Sequence, residues 1–283
     1  MRKTIIAASL ASAAFAAPGF ANAQTAPAAA PAPTPDFTFT GNVGLFSSYR
    51  FRGIDQTFGK PAIQGGIDFS HVSGFYLGNW NSNVNQGAGY PGGNIEMDFY
   101  GGWRKTWGDW GIDLGALYYY YPGTNAGPNT LGSPANNRPG GATHTGSVHN
   151  TDIYIAGSWK WISLKYSDAV SDYFSTPNTK NSGYLDLSAN FDLGSGFSLT
   201  PHIGHQEIKH TTGAPVNYSY TDYSLTLGKD FGNGLSVSAA AVGTDDKKLA
   251  NGLAAFSYTS DPAGDGYKSL QKATLVVGVK YTF

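Results

Sequence analysis

The chain has 283 residues, with 18 Lys and Arg against 19 Asp and Glu, and no Cys. A formal net charge of −1 offers no basic surface for nucleic acid, and the lack of Cys excludes disulfide frameworks, thiolate metal sites and cysteine nucleophiles. Only 13% of the residues are charged, 14% are aromatic and 38 are Gly, a composition that favours many short strands over a helical enzyme or a disordered chain.

The first residues carry the regions of a secretory signal peptide. Arg2 and Lys3 supply positive charge, an apolar run follows, and Ala21-Asn22-Ala23 offers a cleavage site of the small-x-small type. The sequence therefore predicts a signal peptide over residues 1–23 and an Ala/Pro-rich flexible linker over residues 24–36. The apolar run is too short for an uncleaved membrane anchor.

From residue 37 to residue 283, apolar and polar residues alternate with a period of two, which predicts β-strands. The first segment places Phe39, Tyr49 and Phe51 on one face, with Arg50 and Arg52 on the other. At about 3.3 Å per residue and a tilt of about 40°, the stretch from Phe39 to Tyr49 rises about 25 Å, the height of the apolar band of a membrane barrel. We count about twelve such strands.

The connections between these strands alternate in length. Short turns follow the even-numbered strands, at residues 71–74, 106–109, 159–161, 193–196 and 231–234. Long loops follow the odd-numbered strands, at residues 53–60, 84–93, 122–150, 167–183, 206–217 and 244–271. Bacterial outer-membrane barrels have short periplasmic turns and longer external loops. The predicted fold is therefore all-β, a single antiparallel transmembrane β-barrel in the outer membrane of a Gram-negative bacterium.

The last strand ends on an aromatic residue, and its apolar face alternates through Leu275, Val277, Val279, Tyr281 and Phe283. This run resembles the terminal recognition strand that the barrel-insertion machinery reads. The resemblance implies that machinery and periplasmic chaperones as partners, beside the lipid of the outer membrane. An ordinary final strand is the alternative.

Four segments of the first third of the barrel resemble the TorF-type porins, a family of exported proteobacterial outer-membrane barrels of unknown function. The opening segment, residues 41–54, reads GNVGLFSSYRFRGI, and further matches lie at residues 74–80, 96–102 and 119–123. The rest of the chain matches only as a general barrel pattern. The resemblance implies an outer-membrane porin-like protein and carries neither catalytic residues nor a defined solute.

Twelve strands enclose more space than an eight-stranded barrel and less than a wide porin, which predicts a narrow channel or one plugged by an inward loop. Inward charges of both signs would order polar solutes. The candidate pore-lining residues are Arg50, Arg52, Asp68, Glu96, Asp98, Arg104, Asp113, Tyr119, Tyr121, Lys165, Asp186 and Asp222. The first two arginines form, with Glu96 and Asp98, either a constriction or a structural ion-pair cluster.

The predicted function is passive diffusion of small polar or charged solutes through an outer-membrane channel. The alternative is a non-conducting barrel that has a binding or structural role through its external loops. Tyr119 and Tyr121 either guide a solute by stacking or stabilise the base of the loop at residues 122–150, which folds inward or stays outside. The oligomeric state is left open.

A membrane-embedded hydrolase is a third hypothesis, because His202 and His205 have candidate partners in Ser198 and Asp222. A nucleophilic site also needs a recognisable nucleophile and an oriented base, and no such motif accompanies these histidines. Loosely spaced histidines, among them His144, His149 and His210, make a weak metal signal. We therefore expect no enzymatic activity, no cofactor and no metal.

Overall fold

The computed structural model describes residues 35–88, 90, 93–124, 147–209, 217–246, 248, 256–258 and 268–283. The predicted signal peptide lies outside the described residues. So does nearly all of the predicted linker, together with most of the loop at residues 122–150.

Twelve antiparallel strands close into one barrel, which confirms the predicted fold class and strand number. In chain order they are β1 (Phe37–Phe46), β2 (Ala62–His71), β3 (Phe75–Asn83), β4 (Ile95–Trp107), β5 (Trp110–Tyr120), β6 (His149–Trp159), β7 (Ile162–Ala169), β8 (Gly183–Ala189, continued by Phe191–Gly194), β9 (Phe197–Glu207), β10 (Tyr220–Asp230), β11 (Leu235–Thr244) and β12 (Thr274–Thr282). Each strand pairs with the next. The barrel closes where β1 pairs with β12, from Asn42 opposite Thr282 to Phe46 opposite Gly278.

Two short antiparallel pairs and two short 3₁₀ helices lie between the barrel strands. The pairs join Arg50–Phe51 to Ile54–Asp55 and Ser257–Tyr258 to Lys268–Ser269, and the helices are Gln86–Ala88 and Tyr173–Ser175. Within the described ranges, no helix is long and apolar enough to cross a membrane.

The outer surface of the barrel is apolar. On β10, Tyr223, Leu225 and Leu227 are each exposed by nearly half of their area, whereas the alternate residue Asp222 is 2% exposed. Exposed aromatic residues gather at the short-turn end, namely Trp107, Trp110, Trp159, Trp161 and Phe231. An apolar band with an aromatic girdle is the surface that a barrel presents to lipid.

The connections confirm the predicted asymmetry. At one end of the barrel the strands are joined by the short segments 72–74, 108–109, 160–161, 195–196 and 231–234. At the other end the connections are the long segments 47–61, 84–94, 121–148, 170–182, 208–219 and 245–273.

The first strand ends earlier than the alternation predicts. Strand β1 stops at Phe46, and Ser47 makes the last hydrogen bonds to Val277 of β12. Tyr49 and Phe51, predicted on the lipid face, are 1% and 5% exposed inside the barrel. The physical reason is that residues 48–58 form a hairpin inside the barrel, which reverses in a tight turn at Arg52 and Gly53, whose φ angles are 46° and 80°.

The apolar band yields a testable prediction for barrel stability. Replacing Leu225, at the middle of β10, by arginine is expected to lower the free energy of unfolding by about 2–4 kcal/mol, because the charge would lie near the bilayer midplane. The matched variant Phe231→Arg places the same charge in a short turn and should cost about 0–1 kcal/mol. Urea unfolding in lipid vesicles measures both, and equal costs would contradict the assigned membrane position.

Candidate functional site in the barrel lumen

The lumen is accessible at the short-turn end and filled at the long-loop end. On β9, for example, the inward residues Ser198, Thr200 and His202 are partly exposed, whereas Gln206, nearer the loops, is 0% exposed. The inward faces of β7, β8 and β11 show the same gradient of exposure. We call the accessible half the vestibule, and the segment that fills the other half, residues 48–58, the plug.

The plug is a small hairpin with its own hydrogen bonds. Asp55 Oδ1 accepts hydrogen bonds from the backbone N–H of Thr57 at 3.0 Å and from the Ser48 hydroxyl at 3.3 Å. The Gln56 N–H donates to the Tyr49 carbonyl at 2.9 Å. Apart from Arg50, which is partly exposed, every residue of the plug is buried. The plug is therefore an ordered part of the barrel interior.

Aromatic residues of the plug pack against aromatic residues of the wall. The Phe51 ring lies 5.5 Å from Tyr119 and 5.6 Å from Phe174, and the Tyr49 ring lies 5.3 Å from Trp80, all in edge-to-face geometry. Such pairs contribute about 0.5–1.5 kcal/mol each beyond the area they bury. The loop-side half of the lumen therefore contains a hydrophobic cluster.

The tip of the plug is anchored by Arg52, which reaches across the lumen. Its guanidinium donates to Asp152 of β6 at 2.8 Å and to Gln206 of β9 at 2.6 Å, and it lies 4.2 Å above the Tyr184 ring of β8. The Arg52 and Asp152 side chains are each only 3% exposed. A buried charge pair of this kind is costly to break, because one charge is then left without compensation.

Residues of the long loops also contact the plug, at the partner of Arg52 and at the base of the hairpin. Tyr173 donates a hydrogen bond to Gln206 at 3.0 Å, and burial raises the pKa of Tyr173 to about 12, so its hydroxyl stays neutral. At the base, Arg50 donates to the Leu270 carbonyl at 3.1 Å and lies 3.6 Å from Asp55. The plug is thus tied to connections that follow β7 and β11.

Two carboxylates of the wall border the plug. Glu96 and Asp98 lie two residues apart on the inward face of β4, and both are 0% exposed. The Tyr49 hydroxyl of the plug donates to Glu96 Oε1 at 3.0 Å. Neither Arg50 nor Arg52 pairs with them, so the structure does not bring the two arginines together with these carboxylates.

In the vestibule, tyrosines link the charged residues of one wall. Tyr76 donates to Asp113 at 2.6 Å and also contacts the Tyr154 hydroxyl, while Tyr100 donates to Asp68 at 2.5 Å. Further cationic groups lie over these rings, with Arg104 5.0 Å from the Tyr76 centroid and Lys165 4.1 Å from the Tyr154 centroid. The opposite wall carries mainly hydroxyl groups, namely Thr40, Ser198, Thr200, Ser224, Ser236 and Ser238.

The imidazole of His202 lies between two carboxylates. Its Nε2 is 2.9 Å from Asp222 and its Nδ1 is 3.4 Å from Asp186. The nearest serine is Ser188, 3.2 Å from Nδ1, rather than the predicted Ser198, and its hydroxyl donates to Asp186 at 2.7 Å. In a nucleophilic site, the base would accept the proton of the serine hydroxyl. Here the imidazole lies between two acids and the serine donates its proton to a carboxylate, so the arrangement does not match such a site.

The remaining histidines do not join this group. His205 lies on the outer face, 3.0 Å from Thr221, and His144 and His210 lie outside the described residues. Among the residues that the structure describes, no cluster of three or more His, Cys, Asp or Glu side chains is arranged to hold a metal ion.

The twelve candidate pore-lining residues occupy three places. Arg50 and Arg52 lie in the plug, and four residues border it on the wall, namely Glu96, Asp98, Tyr119 and Tyr121. Asp222 also borders it, at the tip beside Gly53. Lys165 and Asp186 are buried in the wall, and Asp68, Arg104 and Asp113 lie on the vestibule side. All twelve are inside the barrel, and their role in solute passage stays a prediction.

Sequence reasoning missed the tyrosines Tyr76, Tyr100, Tyr154 and Tyr184 as partners of the inward charges. Their parity along the strands is the signal that could have found them, because Tyr100, Tyr154 and Tyr184 each lie two residues from an inward Asp, and Tyr76 shares the inward parity of Ser82. The alternate C-terminal residues lie on the outer face, namely Leu275, Val277, Val279, Tyr281 and Phe283, and their recognition by the insertion machinery stays a prediction.

Comparisons with known proteins give a family and a set of structural likenesses. A family described as a bacterial protein of unknown function (Gcw_chp) matches residues 29–283. No curated protein matches the chain.

Several solved porins resemble the barrel. The KdgM porin in complex with disordered oligogalacturonate is 8% identical with a TM-score of 0.49, covering 87% of this chain and 98% of that one. The NanC porin is 10% identical with a TM-score of 0.47, covering 86% and 99%. An outer-membrane channel from Pseudomonas putida F1 is 12% identical with a TM-score of 0.40, covering 90% and 99%. At these identities the likeness concerns the fold alone.

Proposed function

This chain belongs to the Gcw_chp family of bacterial proteins of unknown function, and we propose that it forms an outer-membrane channel for small polar or charged solutes, closed in this conformation by its plug. Solutes would pass by diffusion, selected by the width and the charge of the lumen, without catalysis and without a cofactor. The TorF-type resemblance of the N-terminal segment agrees with this proposal.

The main support for the proposal is the polar and charged lining of the vestibule. Its wall combines charges of both signs, from Asp68 and Arg104, with hydroxyl groups on the opposite side. In the loop-side half, charged groups such as Arg52 and Asp152 are buried and bonded to each other, whereas Asp68 and Arg104 in the vestibule are partly exposed to the lumen. Charges of both signs in a confined aqueous space would create a field that orders polar solutes.

The packing of the plug favours a second candidate function. Because the loop-side half of the lumen is filled by aromatic residues and by the buried pair of Arg52 with Asp152, a permanently sealed barrel is also consistent with the geometry. Such a barrel would act through its external loops, as a binding or structural protein.

The proposed location and partners follow from the same barrel. The apolar band fits the lipid of the outer membrane of a Gram-negative bacterium, which the chain would reach after export and removal of its signal peptide. We infer that periplasmic chaperones and the barrel-insertion machinery act during assembly, and that small polar solutes are transported. An oligomer is compatible with the apolar outer surface.

Single-channel recording of the refolded protein in planar bilayers tests the proposal. In the test variant, a short Gly/Ser turn replaces residues 48–58, which is feasible because Phe46 at the end of β1 pairs directly with Ala62 at the start of β2. We expect rare openings from the wild type and persistent conductance from the variant. A folded, heat-modifiable variant that does not conduct would disprove the channel and leave the sealed barrel.

A further inference from the structure

The carboxylates of Glu96 and Asp98 lack the partners that buried charges require. Tyr49 donates to Glu96 Oε1 at 3.0 Å, but Glu96 Oε2 and both oxygens of Asp98 receive no hydrogen bond from any residue that the structure describes. Both side chains are 0% exposed. An ionised carboxylate that is buried without compensation is strongly unfavourable. If these two carboxylates are ionised, a positive charge must therefore lie beside them.

The cationic side chains of the plug are committed elsewhere. Arg52 pairs with Asp152 at 2.8 Å and donates to Gln206, while Arg50 lies 3.6 Å from Asp55 and donates to the Leu270 carbonyl. Within the described ranges, no Lys, Arg or His forms an ion pair with Glu96 or Asp98. Among the described residues, these two adjacent carboxyl groups therefore have no side chain that would neutralise their charge.

The atoms around this pair are oxygen ligands. Besides the two carboxylates, the hydroxyl groups of Tyr49 and Tyr121 lie within hydrogen-bond reach of Glu96. Hard divalent cations prefer oxygen ligands, and Ca²⁺ accepts an irregular set of six to eight, whereas Mg²⁺ demands a near-ideal octahedron. A charge of +2 also matches two carboxylates.

We propose that Glu96 and Asp98 form a binding site for a divalent cation of the Ca²⁺ class, completed by phenol oxygens and water. Tyr49 belongs to the plug, whereas Glu96 and Asp98 belong to the wall, so the bound cation joins the two. The site exists whether or not the barrel conducts, and its test is independent of the conductance measurement.

Terbium is a suitable probe, because Tb³⁺ enters Ca²⁺ sites and emits when excited through nearby aromatic rings. Trp80 and Tyr49, whose rings are 5.3 Å apart, lie beside the proposed site. The mature chain, refolded in detergent without lipopolysaccharide, should bind one Tb³⁺ that Ca²⁺ displaces. Asp98→Asn should weaken this binding by about tenfold or more, because it removes one charged ligand.

Asp68→Asn is the matched control. It removes a carboxylate of the same lumen that receives a hydrogen bond from Tyr100 in the vestibule, and it should leave Tb³⁺ binding unchanged. A wild type that binds no Tb³⁺ at neutral pH would mean that the two acids are held neutral and would overturn the proposal. Equal binding by Asp98→Asn and the wild type would place the ion elsewhere and overturn it as well.

A second measurement covers the case in which Asp98→Asn does not fold. Glu96→Gln then replaces Asp98→Asn in the Tb³⁺ titration. In a separate experiment, the wild type is heated in Ca²⁺ or in EDTA, and its unfolding is followed by the shift of its heat-modifiable band on a gel. We expect Ca²⁺ to raise the unfolding temperature, because a ligand that binds only the folded state stabilises it. Identical temperatures in the two buffers would contradict the site.

Discussion

Replacing Arg52 by alanine is expected to lower the free energy of unfolding by about 3–5 kcal/mol, since it leaves the buried carboxylate of Asp152 without its partner. The same change frees the tip of the plug, because Arg52 makes the hydrogen bonds to Asp152 and Gln206 that hold it across the lumen. Urea unfolding in vesicles measures the stability, and planar-bilayer recording measures the opening of the channel.

Two further variants test whether the loss of stability is specific to the buried pair of Arg52 and Asp152. Asp109→Ala removes the ion pair with Lys160, which spans 3.9 Å in an exposed turn, and should cost at most about 1 kcal/mol. Adding Asp152→Asn to Arg52→Ala removes the unpaired charge and should recover part of the lost stability. If Arg52→Ala were no more destabilising than Asp109→Ala, Arg52 would not anchor the plug.

The walls of the barrel could be predicted from the sequence, because lipid requires an apolar residue at every second position. Leu225 and Asp222 illustrate this rule, as their opposite parity alone places one outside and the other inside. The same rule applies to the last strand, where Val277 and Val279 face outward. Strand number and loop asymmetry follow from repeating this local pattern along the chain.

The plug could not be predicted in the same way. Tyr49 and Phe51 continue the apolar parity of β1, so the local pattern reads as one long strand, and only the chain reversal at Gly53 shows otherwise. One signal was available, since Ile54 and Phe58 are apolar residues in a segment predicted to be an external loop. Both are buried, as apolar residues in an inward loop would be.

The contacts that close the lumen could not be predicted from residue spacing along the sequence. Arg52 and Asp152 are separated by 100 residues, and their pairing depends on the barrel closing and on the plug turning inward. The sequence therefore indicates which charges face the lumen without indicating which of them pair. That the Asp98 carboxylate has no hydrogen-bond partner in the described part of the chain is likewise visible only once Arg52 is seen to bind Asp152.

Replacing Gly53 by valine should force the tip of the plug off the wall. A Cβ atom at Gly53 would lie 2.6 Å from Thr244 Cγ2 and 2.8 Å from Asp222 Cβ, and the φ angle of 80° disfavours a β-branched residue. Overpacking of this kind costs about 1–3 kcal/mol, which corresponds to a shift of about 5- to 150-fold in the ratio of open to closed channels. Single-channel open probability measures that shift.

Gly59→Val controls for the backbone strain. Gly59 has a similar φ angle of 72° in the same connection, but it is exposed, and the nearest atom to its Cβ position is the flexible end of Lys268. This variant should therefore stay closed while Gly53→Val opens, because only Gly53 presses against the rigid wall formed by β10 and β11. If both variants stayed closed, or both opened equally, contact between the plug tip and that wall would not be what closes the lumen.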